Sequence, residues 1–128
     1  MTEEEYQPRR TWPAKFRDAF RGLAIGVGGQ KSFAVHLPAA VAVIVCGFLL
    51  QVNLWEWCLL ALCITTVLVA EMFNSALERM AKVIDSRHNP QLGSALDVGS
   101  AAVLTAAFGA ATVGALIFVH RLAAVVGT

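Results

Sequence analysis

Three apolar runs dominate this chain: Phe33 to Leu50, Leu54 to Ala70 running on to about Ile84, and Val98 to Val119. Spanning a bilayer as a helix takes roughly 20 apolar residues, with a range of about 17–25. Each run meets that length. The chain has only 128 residues, of which 57% are hydrophobic and 15% charged. A soluble domain of that size cannot hide so much apolar surface. The expected class is therefore an all-α membrane protein folded as a single domain. The first two runs are short as pure apolar spans, and each carries one polar residue near an end, His36 and Glu56. Both read as interfacial residues.

Charge distribution sets the orientation. Arg9, Arg10, Lys15, Arg17, Arg21 and Lys31 precede the first span, and Arg79, Lys82 and Arg87 follow the second. The turn at Gln51 to Trp57 has no Lys or Arg, and the tail offers only Arg121. Basic loops stay in the cytoplasm, which places the N-terminus there. Trp55 and Trp57 fit the aromatic belt of the opposite interface. The same clustering accounts for the basic residues without nucleic acid. The acidic start, Met-Thr-Glu-Glu-Glu, lacks the apolar core of a signal peptide. Cys46, Cys58 and Cys63 lie in apolar runs without zinc spacing, and read as buried, inert thiols.

Along the chain, residues 1–11 are polar and read as loose. Residues 12–29 form an amphipathic surface helix, with Trp12, Phe16, Phe20, Leu23 and Val27 on one stripe. A basic helix of this kind suits the membrane interface, or packing on a soluble partner. Glycines at 26, 28 and 29 allow a bend into the first span, 33–50, where Pro38 falls near the first turn. Gly28-Gly29-Gln30-Lys31-Ser32 is only superficially like a P-loop: the glycine required before the lysine is Gln30, and no strand precedes it. The second span, 54–84, extends into the cytoplasm, and His88-Asn89-Pro90 breaks it. Gly93 to Gly99 leads into the third span, 94–119, with Asp97 at its mouth. Gly99, Ala102, Ala106, Ala110 and Gly114 permit close helix approach. Three spans are few to enclose a polar pocket, so a symmetric homo-oligomer is expected.

The chemistry concentrates in Glu71-Met-Phe-Asn74-Ser75-Ala-Leu-Glu78. Ionisable groups at membrane depth are costly and usually face a protein interior or a wet site. Offsets of three and seven put Glu71, Asn74 and Glu78 on one helix face. Two carboxylates and an amide suit a divalent cation or a proton-abstracting base. A polar seam between helices is the plainer alternative. The apolar run holds no basic partner, which argues against a simple ion pair.

The order of parts resembles the small bacterial integral-membrane diacylglycerol kinases and the related undecaprenol kinases. The resemblance runs from about residue 12 to 119. It rests on Lys15-Phe16-Arg17-Asp18-Ala19-Phe20-Arg21-Gly22-Leu23, on Glu71-x-x-Asn74-Ser75-Ala76-x-Glu78, and on Asp97-x-Gly99-Ser100-Ala101-Ala102-Val103-Leu104. It implies a three-span homotrimer in the bacterial inner membrane, with active sites between protomers. It implies transfer of the ATP γ-phosphate to a lipid hydroxyl, of diacylglycerol or undecaprenol, at the cytoplasmic face. In that scheme Glu71 takes the hydroxyl proton, Glu78 holds Mg2+, Asn74 orients phosphate or metal, and Asp97 orders the nucleotide side. The chain departs from the family pattern at Gln30, where a second metal-holding glutamate is usual, and at Leu96, where a lysine is usual. It also departs at Ala34, near which a basic residue is usual, and at Lys82, where an acidic one is. Gln30 retains a carbonyl for metal, and Lys31 and Lys82 offer replacement charge for the nucleotide.

Two other functions fit parts of this pattern. One is a weakened member of the same fold that binds lipid or aids assembly, which Gln30 and Leu96 favour. The other is a small cation channel or transporter. The third span is apolar apart from Ser100, Thr105 and Thr112, so it offers no continuous polar track. Apolar residues along the spans do not choose the lipid.

Overall fold

A computed structural model describes residues 10–28 and 33–127, and every regular element in them is helical. The helices are α1 (Trp12–Gly28), α2 (Phe33–Leu49), α3 (Leu54–Ile84) and α4 (Pro90–Val126). Gln30 and Lys31 lie outside the described residues. Two helices, α3 and α4, are each long and apolar enough to cross a membrane, and α1 with α2 supplies up to one more span. The chain is thus a membrane protein, with two to three span candidates.

Local chemistry fixes the helix ends. Asn53 opens α3 through a capping box: its side-chain oxygen accepts from the Glu56 amide at 2.9 Å, and the Glu56 carboxylate accepts from the Asn53 amide at 2.9 Å. That satisfies two otherwise orphaned donors. Asn89 caps α4, accepting from Gln91 and Leu92, and Pro90 follows at a position that needs no amide hydrogen. Asp85 closes α3, its amide donating to Ala81. The helix therefore ends at Ile84, and Asp85 caps it ahead of His88-Asn89-Pro90. Gly93 to Gly99 is the opening of a helix and not a lead-in, because the Asn89 cap nucleates α4 ahead of it. Pro38 lies five residues into α2, past its first turn. Gln51 turns the chain between α2 and α3 in the left-handed region, at φ 51°.

Packing is strongest between α3 and α4, with α2 laid on α3 and, more lightly, on α4. α1 touches α3: Gly26 approaches Met72, and Arg79 Nη2 donates to the Ile25 carbonyl at 3.4 Å. A small core of Val52, Leu60 and Ile117 gathers near the α2–α3 turn. There Trp57 covers Gly47 and stacks, tilted, on Phe48 with ring centroids 4.9 Å apart. Trp57 is thus half-buried, while Trp55 stands exposed. Large apolar side chains cover the outside, Phe48, Leu104, Phe108 and Val119 among them. On α1 the apolar stripe is open at Trp12, Phe16, Phe20 and Leu23.

Three sequence expectations need correction. Cys46 and Cys58 are exposed on apolar helix faces and only Cys63 is half-buried, because α2 and α3 turn those positions outward. Glu56 is more than interfacial: besides its cap it accepts from Arg121 at 2.7 Å, tying the end of α4 to the start of α3. The small-residue stripe is not a uniform close contact. A Cβ at Gly99 would collide with α3, whereas one at Gly114 would meet nothing within 4 Å.

Candidate functional site

The acidic stripe sits in the middle of α3, where that helix is covered on two sides. Glu71 is 2% exposed, Asn74 7% and Ser75 3%, while Glu78 is half-buried one turn further toward the helix end. Asn74 Nδ2 donates to Glu78 Oε1 at 3.1 Å. A carboxylate only accepts, so this bond decides which way the amide points. Its oxygen is left buried with no hydrogen-bond partner among the described residues. It faces Gly99 of α4, and a Cβ built there would stand 2.5 Å from Asn74 Oδ1 and 3.2 Å from Leu77 Cδ1. The glycine thus makes room for an acceptor that none of the described residues satisfies. Leaving such an oxygen unmade costs about 1–3 kcal/mol, a cost that a cation or donor would remove.

Glu71 does have a basic partner, contrary to the expectation from its own helix. His36 Nε2, from the first turn of α2, lies 2.9 Å from Glu71 Oε1. The partner comes from a neighbouring helix, which a scan of one apolar run cannot see. The signal was available in the sequence. His36 and Glu71 are the polar residues at the same end of adjacent spans, and antiparallel helices bring such ends together. His36 also lines an apolar groove of about 360 Å³ between α2, α3 and α4, with Val43, Leu60 and Ala110.

Beyond Glu78 lies a second crevice, of about 370 Å³, at the α3–α4 turn. Lys82, Arg87 and His88 line it together with Glu78 and Leu96. Asp85 lines it too, its carboxyl held below the usual value of 3.8 by the Arg87 amide and then by the Asn89 side chain. Asp97 is not brought to this cluster. It is exposed, makes no hydrogen bond or ion pair among the described residues, and lies two positions before Gly99. Two positions turn it by about 200° away from the α3 contact.

The donor set suits a hard cation. Glu78 and the orphaned Asn74 oxygen are oxygen ligands, and Mg2+ uses one or two carboxylates and leaves its remaining positions to water and phosphate. No group of three or more His, Cys, Asp or Glu poised for a metal occurs among the described residues. The described residues alone therefore form no closed metal cage.

A buried carboxylate held by histidine, an adjacent carboxylate–amide pair and a crevice where Lys82 and Arg87 stand beside Glu78 and Asp85 make up the candidate site. Residues 17–118 match the family of prokaryotic diacylglycerol kinases. The chain is 33% identical to an undecaprenol kinase of Bacillus subtilis, over 84% of this chain and 87% of that one. It is 32% identical to a diacylglycerol kinase of Synechocystis, over 84% of this chain and 62% of that one. No solved structure matches. The chain belongs to the prokaryotic diacylglycerol kinase family and is a lipid kinase.

Proposed function

We propose that the chain moves the γ-phosphate of ATP to the primary hydroxyl of a membrane lipid, at the cytoplasmic face of the bacterial inner membrane. Diacylglycerol and undecaprenol both offer such a hydroxyl at the end of apolar chains. The observation that carries the reading is the pairing of a buried Glu71 with the Asn74–Glu78 couple one turn away. Glu71 takes the proton as the hydroxyl oxygen attacks phosphorus, and its burial keeps water from competing for the phosphate. Glu78 and Asn74 Oδ1 are the groups that would hold Mg2+, which neutralises phosphate oxygens when bound. The triphosphate lies toward the crevice of Lys82 and Arg87, and Lys31 and Gln30 are further candidate ligands for it by sequence alone.

Asp97 stands off the α3–α4 seam, and a site that includes it draws on a second copy of the chain. That supports a homo-oligomer, with three copies as the preferred number. The N-terminal helix α1 lies along the cytoplasmic interface, tethered by Arg79 to the same end of α3. Lys82 beside Leu96 favours a working enzyme over a weakened one, since it puts a cationic group near where the usual lysine is missing.

The test is transfer of labelled phosphate in lipid nanodiscs containing diacylglycerol or undecaprenol, with ATP and Mg2+. Labelling of one lipid that requires Mg2+ supports the reading. Labelling of neither, with ATP bound, would sink it.

A further inference from the structure

The lipid-kinase reading leaves His36 without a role, yet its ring is in direct contact with the most buried ionisable group among the described residues. His36 Nε2 stands 2.9 Å from Glu71 Oε1, with the histidine side chain 21% and the glutamate 3% exposed. With Glu71 as a carboxylate, which only accepts, the hydrogen in this contact sits on Nε2. Glu71 can take a proton only as a carboxylate. A carboxylate so far from water is costly unless a donor replaces its hydration. The groove beside His36 is apolar, so water has no polar wall there on which to substitute for the ring.

We propose that His36 is the positioning residue of Glu71. Its Nε2–H occupies Oε1, fixes the carboxylate in one rotamer, and leaves Oε2 as the oxygen that receives the acceptor's proton. In the transfer step the hydroxyl proton passes to Oε2 and the lipid oxygen bonds to the γ-phosphorus. The bond to the bridging oxygen breaks, and its electron pair leaves with ADP. His36 acts through Glu71 and touches no substrate, so its effect falls on turnover and not on binding. This inference rests on the kinase reading above and adds one residue to it.

The variants are His36→Leu, which removes the donor, His36→Gln, which keeps an amide donor at similar reach, and each in the Glu71→Gln background. His36→Leu is expected to lower kcat about 10²-fold, the scale of a misplaced reacting group, with KM for ATP and lipid little changed. His36→Gln restores most of that turnover. In the Glu71→Gln background neither change adds a further loss, because residues acting as a unit are non-additive. Wild-type kcat in His36→Leu, a loss confined to KM, equal losses in Leu and Gln, or additivity with Glu71→Gln would each overturn the proposal. Should His36→Leu fail to fold, His36→Gln and the double variant decide it. If the wild-type chain labels no lipid, the kinase reading is what fails. The pair is then read from the imidazole 15N signals of His36 in nanodiscs. They are expected to move on Glu71→Gln, and unchanged signals overturn the contact.

Discussion

Asn74 and Gly99 meet so closely that a methyl on the glycine would stand 2.5 Å from the asparagine's amide oxygen. The neighbour cannot give easily, since Asn74 is buried and its nitrogen is committed to Glu78. Gly99→Ala is therefore expected to swing the amide or part α3 from α4. Overpacking of this kind costs about 1–3 kcal/mol. Lipid phosphorylation should drop well before the fold is lost, seen as reduced kcat in a variant with a normal helical spectrum. Gly114→Ala is the control, because a Cβ there meets nothing, and its activity should match the parent.

Glu78→Gln keeps an acceptor for Asn74 but removes the charge. The fold should be untouched, and the Mg2+ concentration for half-maximal activity should rise by about tenfold or more, as expected when a carboxylate ligand is lost. An unchanged Mg2+ titration would remove Glu78 from the metal site.

Leu96 lines the crevice beside Lys82 and Arg87 and contributes no charge of its own. Leu96→Lys should lower KM for ATP by about tenfold, the equivalent of one charge-assisted contact of about 1.4 kcal/mol. The measurement is ATP saturation at fixed lipid. No change would mean that Lys82 and Arg87 already meet the phosphate's need.

Arg121 bonds Glu56 at the far end of the bundle. Arg121→Leu should lower the melting temperature while leaving kcat and KM at their parental values. A selective loss of activity would place that end of the molecule in the reaction.

Asp85 ties the α3–α4 turn through Arg87 and Asn89. Its folded pKa lies below the ordinary 3.8. The contribution is fully present above that ordinary value and is lost as pH falls through the lower folded value. Protease cleavage at the turn should thus stay slow down to about pH 4, near the reference carboxylate range, and quicken below it. Asp85→Asn should be cleaved faster at neutral pH.

The helices were legible because apolar runs are local. The capping roles of Asn53 and Asn89 were missed, and α4 opens at Pro90, ahead of the expected 94. The stripe of Glu71, Asn74 and Glu78 was legible for the same reason, as helical spacing alone aligns it. The partners were not legible within any one run and needed a comparison across spans. His36 to Glu71 and Arg121 to Glu56 join different helices, and each looked like an isolated polar residue at the end of an apolar run. Cys46 and Cys58 misled because an apolar run facing lipid has the same composition as one facing a core. Asp97 was placed with the site by resemblance, whereas in the single chain its angle on α4 turns it aside.

In the proposed reaction Glu71 is the group that receives the hydroxyl proton. Its most direct test is single-turnover phosphate transfer from bound ATP to lipid in Glu71→Gln. The predicted result is a fall of about 10²–10⁴-fold, the range for a lost general base, with ATP binding unchanged. Transfer at the parental rate would contradict it.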